Sequence, residues 1–119
     1  MKTSFTRSLP TLALAAASAL LVSGICLGAD VAENWNKHCA SCHAKDGSGN
    51  TKMGKKLNVK DYRDAKAQEA FTDDAAFKAV KEGTKDSAGK ETMKPFAEKL
   101  SDDEIKALVA HVRTLKGAK

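Results

Sequence analysis

Residues 39 to 43 read Cys39-Ala40-Ser41-Cys42-His43, and a C-x-x-C-H run is the spacing that attaches a haem covalently. Two thiols three residues apart share one helical turn, so both reach the same porphyrin edge and close as thioethers. The next residue projects its imidazole beneath the macrocycle, where a borderline nitrogen base ligates iron. Two other uses of a C-x-x-C pair compete with this one. A structural zinc site needs four protein ligands, yet the only other cysteine is Cys26, and there is no second C-x-x-C or H-x₃-H. A redox dithiol sits at the end of a strand in a βαβ pattern, and no strand pattern surrounds Cys39 and Cys42.

An iron held by one histidine keeps a sixth position, open for gas or peroxide chemistry or closed for electron transfer. Met93 is the candidate to close it. It lies 50 residues after His43 and directly before Lys94-Pro95-Phe96, enough chain to wrap from one haem face to the other. A thioether is a soft, neutral ligand that favours ferrous iron and raises the reduction potential. Met53, His38 and His111 are the rivals. Met53 follows His43 by only ten residues, which keeps it on the proximal side. His38 is constrained by the adjacent Cys39, and His111 sits inside a helix where a packing role is the simpler reading.

The elements that position these residues read as helices. A first helix is predicted from Asp30 to about His38, with Asp30 as cap, Glu33 completing a box-like pair, and Val31 and Trp35 on one face. Residues 46–59, rich in Gly, Lys and Asn, read as loop. A middle helix is predicted over 72–82, with Thr72 as cap, Asp73 and Asp74 in the first turn, Ala76, Phe77 and Val80 as apolar face, and Gly83 as stop. Residues 84–96 read as a second loop. The last helix opens on the capping box Ser101-Asp102-Asp103-Glu104 and carries Ile105, Leu108, Val109, Val112 and Leu115 at helical spacing up to Gly117. Its stripe needs a partner, and the Val31/Trp35 face is available, so the first and last helices are predicted to cross.

The beginning of the chain has a different character. Lys2 and Arg7 precede an uncharged Leu/Ala-rich run that lasts to Asp30, the pattern of a secretory signal peptide over residues 1–28. Its alternative is an uncleaved anchor, since roughly 20 uncharged residues can span a bilayer. Pro10, Ser18, Ser23 and Gly24 weaken such a span. Residues 29–119 then form one small domain, and after loss of Cys26 its only cysteines are Cys39 and Cys42. Aromatic mass is scarce (Trp35, Tyr62, Phe71, Phe77 and Phe96), so a chain of this size needs a cofactor to complete its core.

Taken together, the helix before C-x-x-C-H, the Gly/Lys loop, the middle helix and the ending Met93-Lys94-Pro95-Phe96…Lys99-Leu100-Ser101-Asp102-Asp103-Glu104-Ile105…Leu108-Val109-Ala110-His111-Val112-Arg113 resemble the class I monohaem c-type cytochromes of the small bacterial kind. The resemblance covers residues 29–119. It implies an all-α fold of three to five short helices around one covalently bound haem c. It also implies His43 as proximal and Met93 as distal iron ligand, and electron carriage between redox complexes. Three departures stand out. Lys94 separates Met93 from Pro95, where the family often has Met-Pro. Gly54-Lys55 replaces a common Gly-Pro whose carbonyl orients the proximal imidazole, a bond that a backbone carbonyl can keep without proline. His111 occupies a position commonly aromatic, with Trp35 available to compensate from the opposite helix.

The formal charge of +5 falls to +3 once the two cations of the leader, Lys2 and Arg7, are removed, and two haem propionates bring it near neutral. This balance excludes no partner class by itself but marks neither a nucleic-acid nor a membrane-surface binder. Lys45, Lys52, Lys55, Lys56, Lys90 and Lys94 flank the two loops near the haem edge, either as solvated loop residues or as a collar steering an acidic redox partner. The reading is a monomeric periplasmic single-electron carrier without substrate turnover, serving a donor and an acceptor such as a membrane complex, oxidase or dehydrogenase. A haem-based ligand sensor or peroxidase-like protein with a labile sixth ligand is the alternative, and a haem-free thiol-disulfide enzyme a third.

Overall fold

The computed structural model describes residues 27–119. The leader pattern and Cys26 lie outside these residues, except for the last two positions of the expected 1–28 segment. No helix among the described residues is long and apolar enough to cross a membrane.

The first helical run is longer than its sequence signals. Helix α1 (Leu27–Asn34), a π-helical turn (Trp35–Cys39) and α2 (Ala40–His43) follow one another without a break. Asp30 is therefore inside the first turn of α1 and not its cap; there its carboxylate complements the positive end of the helix dipole. In the π turn the Ala40 N–H reaches back to the Trp35 carbonyl, one residue further than in an α-helix. This wider turn keeps Trp35, Cys39 and His43, each four residues apart, closer to one line than roughly 3.6 residues per turn would. Trp35 and Cys39 are buried. Ala44, at φ 65°, ends the run.

The segment 46–59 is not loop throughout. Thr51 accepts the Gly54 N–H at 2.8 Å and caps the short helix α3 (Lys52–Leu57), which stops at the left-handed Asn58. A glycine inside a lysine-rich stretch conceals this turn from periodicity. Helix α4 (Ala65–Glu69), capped by Asp64, carries a single buried side chain, Gln68; it is too short to show an amphipathic period.

Helix α5 (Asp73–Glu82) follows its sequence signals, with the Thr72 hydroxyl accepting from the Ala75 N–H and Gly83 ending it. The stretch 84–96 departs from the loop reading. It holds a two-stranded antiparallel hairpin, β1 (Thr84–Lys85) and β2 (Glu91–Met93), with Thr84 opposite Met93. The hairpin is built by its turn: Asp86 Oδ1 accepts the N–H groups of Ala88 and Lys90, each at 2.9 Å, and Gly89 supplies the positive φ. Strands of two and three residues leave no alternation to detect.

Helix α6 (Asp102–Thr114) has both halves of the capping box, Ser101 and Glu104 each holding the other's backbone N–H. Its stripe forms the centre of the core: Ile105 and Leu108 are fully enclosed, against Trp35, Phe96, Leu100 and Leu115. Each such side chain contributes about 1.5–3 kcal/mol by burial. The first and last helices meet as expected, with α6 packed on α1 and on α5.

Candidate functional site

A cleft opens between the helical run 27–43 and the pair α5 and α6. It encloses about 830 Å³ of space, part of it open to solvent, and its walls come from Trp35, Cys39, His43, Lys60, Tyr62, Phe71, Ala75, Ala76, Ala79, Val80, Met93, Leu108, Val109 and Val112. This concave, apolar lining with a few polar groups aimed into it suits an apolar cofactor. Cys39, His43 and Met93, from elements 50 residues apart, face one space. Cys42 lies on the same turn as Cys39, and neither is part of a disulfide.

The chemistry of the donors fits an iron porphyrin. Burial, with the neighbouring Cys42, pushes the Cys39 thiol up to about 11, so at neutral pH it is an uncharged group on an apolar wall. Burial also holds the His43 imidazole below its ordinary range, keeping it neutral with a lone pair available. Its ring stacks on Tyr62 at 5.2 Å between centroids, planes 21° apart, and lies 5.8 Å from Trp35. Among the described residues no three or more His, Cys, Asp or Glu side chains gather as a metal cage. The donors here are two thiols, one imidazole and one thioether.

The loop after the motif holds the motif's backbone and leaves the imidazole alone. Gly49 N–H donates to the His43 carbonyl at 2.8 Å and Thr51 Oγ1 to the Cys42 carbonyl at 2.9 Å. His43 Nδ1 is buried with no hydrogen-bond partner. The expected carbonyl bond from the Gly54-Lys55 turn to this nitrogen is absent, and the Gly54 carbonyl takes the Val59 N–H at 2.9 Å. Gly54 itself cannot be larger: a Cβ there would strike the carbonyl oxygens of Gly49 and Cys42.

The three rivals of Met93 do not line the cleft. Met53 is 43% exposed on α3. His38 lies edge-on to Phe96, and His111 packs on Trp35 at 5.0 Å, so Trp35 supplies the aromatic ring at the helix contact that His111 does not. Met93 ends β2, half-buried, and the intervening Lys94 is exposed.

Several residues of the site carry no sequence signal. Tyr62 and Phe71 stand out in the sequence only as scarce aromatics, and both line the cleft. Behind them is a polar hub. Buried Gln68 donates through Nε2 to the carbonyls of Tyr62 at 2.7 Å and Val112 at 2.8 Å. Arg113 donates to Gln68 Oε1, the Phe71 carbonyl and Asp73, with its guanidinium 4.2 Å from the Phe71 ring centroid. This hub ties the wall 62–71 to α6. Only a long-range pairing reveals it, since its members lie up to 45 residues apart.

Residues 27–112 match the family model described as cytochrome c oxidase, cbb3-type, subunit III. Two solved structures are similar. One, described as the KustC0563 c-type cytochrome, is 35% identical with a TM-score of 0.61, covering 71% of this chain and 95% of that one. The other, a point mutant of Kustc0563, is 36% identical with the same TM-score of 0.61, covering 73% of this chain and 99% of that one. The comparison with curated proteins found no match. With the family model spanning most of the chain, one C-x-x-C-H motif and a mostly helical frame around an apolar cleft, the chain belongs to the c-type cytochromes, which carry electrons on covalently bound haem c.

Proposed function

We propose that the protein is a periplasmic one-electron carrier whose haem is bound through Cys39 and Cys42 and whose iron is held by His43 and Met93. The observation that carries this reading is the convergence of Cys39, His43 and Met93 on one apolar cleft. Bound there, haem c supplies a ferric/ferrous couple. Cys39 and Cys42 fix it to the helical run as thioethers. His43 offers a neutral imidazole from a ring confined between Tyr62 and Trp35. Met93 offers a soft sulfur from β2. Ligands that stay in place in both oxidation states require little rearrangement, and the aliphatic walls from α5 and α6 keep water away.

The donor and acceptor are redox proteins. Lys45, Lys52, Lys55, Lys56, Lys90 and Lys94 are all exposed and form the surface that steers an acidic partner. Residues 1–28 act as a cleaved leader for export. Mass spectrometry of the native protein should find a chain that begins near residue 29 and carries one haem; a chain retaining residues 1–28 overturns the cleavage. Potentiometric titration should give a single one-electron wave. Rapid CO binding to the ferrous protein at neutral pH would instead mark a sensor or peroxidase-like site.

A further inference from the structure

The hairpin that ends in Met93 is fastened at its base, at its tip and between its strands. At its base, Phe96 N–H donates to the Val80 carbonyl at 2.9 Å and Ala97 N–H to the Lys81 carbonyl at 3.2 Å, tying it to the end of α5. At its tip, Asp86 closes the turn. Between them, the hydroxyls of Thr84 and Thr92 meet at 2.8 Å across the two strands, half-buried. Thr84 is the register partner of Met93, and the pairing is irregular at this point. The hydroxyl pair therefore closes the ladder where the backbone register slips, one residue from the sulfur-bearing side chain.

Gly83 completes the fit. It sits at φ +77°, and a Cβ there would lie 2.6 Å from the Met93 carbonyl oxygen and 2.9 Å from the Pro95 nitrogen. The end of α5 and the Met93-Lys94-Pro95 backbone thus approach as closely as glycine allows. Lys94 stands between Met93 and Pro95 in this segment, and Met93 lines the cleft.

We infer that Thr84 and Thr92 are positioning residues for Met93: their hydroxyl pair, beside the Gly83 contact, keeps the Met93 sulfur in the cleft and sets how readily an outside ligand replaces it. This rests on Met93 being the distal ligand. A hairpin that opens must first break the hydroxyl pair, exchanging it for bonds to water at a net cost of about 1 kcal/mol. Removing the pair in advance raises the open population without touching the cleft wall.

The test uses the ferrous holoprotein and CO. Wild type, Thr92→Val, Thr92→Ser, Thr84→Val and Met93→Ala are compared for CO binding rate at neutral pH, with far-UV circular dichroism and haem content as controls for folding. Thr92→Val and Thr84→Val should bind CO about tenfold faster, the loss of one such hydrogen bond, at wild-type helicity and haem content. Thr92→Ser should return the rate to that of wild type. Met93→Ala should bind CO fastest of all. If Met93→Ala is fast while both valine variants match wild type, the clamp is wrong and the ligand assignment stands. If Met93→Ala matches wild type, the ligand assignment fails and the clamp with it. If one valine variant loses haem, the other decides: a wild-type rate in it rejects the hydroxyl pair as the determinant, and a faster rate supports it.

Discussion

Trp35 and His111 lie with ring centroids 5.0 Å apart and planes 55° apart, and this contact joins the π turn of the first helical run to the last helix. Trp35 is anchored from the other side, its Nε1 donating to the carbonyls of Ala44 at 3.1 Å and Lys45 at 3.2 Å. One side chain thus joins the contact with α6 to the end of the C-x-x-C-H turn. The π turn begins at Trp35, which lines the cleft together with Cys39 and His43. Trp35→Ala should cost about 3–5 kcal/mol, as for other core aromatics, measured by denaturant unfolding of the holoprotein.

His111 is an imperfect partner in that contact. Its Nε2 is buried without a hydrogen-bond partner, and burial lowers its pKa from the ordinary 6.5. A phenyl ring fills the same contact with no polar atom to strand. His111→Phe should raise stability by about 1 kcal/mol at pH 7. The pH dependence has a definite sign. Below about 6.5 the unfolded chain protonates His111 more readily than the folded one does, so folded stability falls as pH drops through this window. In His111→Phe that part of the acid slope should disappear, as urea midpoints at successive pH values will show.

Arg113 is the hub that holds the Tyr62–Phe71 wall. Its planar guanidinium serves Gln68, Phe71 and Asp73 at once, a geometry that an ammonium group cannot copy. Arg113→Met should destabilise by about 2 kcal/mol, lowering the melting temperature by roughly 10 °C for a domain this small. Arg113→Lys should recover little of that loss.

Two glycines provide a matched pair for the loops. At Gly54 a Cβ would strike backbone oxygens of Gly49 and Cys42, whereas at Gly89 it meets nothing within 4 Å. Gly54→Ala should cut the yield of haem-loaded protein severely, since the displaced loop holds the Cys42 and His43 carbonyls. Gly89→Ala faces only its positive φ and should cost about 1 kcal/mol, with normal haem content.

The parts legible in the sequence are those with local chemistry. Thr72 and Ser101 begin their helices because a side-chain oxygen satisfies an orphan N–H, and the stripe from Ile105 to Leu115 repeats at helical spacing. The Cys39–His43 motif likewise carries its spacing with it. The parts hidden from the sequence depend on partners far along the chain or on very short elements. Asp30 reads as a cap because of its side-chain type and the Glu33 three residues on, although it lies inside α1. Helices α3 and α4 and the hairpin are too short for any period. Their stabilisers, Thr51 on Cys42, Gln68 on Val112 and Thr84 on Thr92, exist only in three dimensions.

Whether Met93 closes the iron's sixth position is tested most directly by one spectrum. The ferric holoprotein should show a methionine-to-iron charge-transfer band that vanishes in Met93→Ala while the thioether-bound haem remains. A band that persists in Met93→Ala, or that is missing from the wild type, contradicts the assignment.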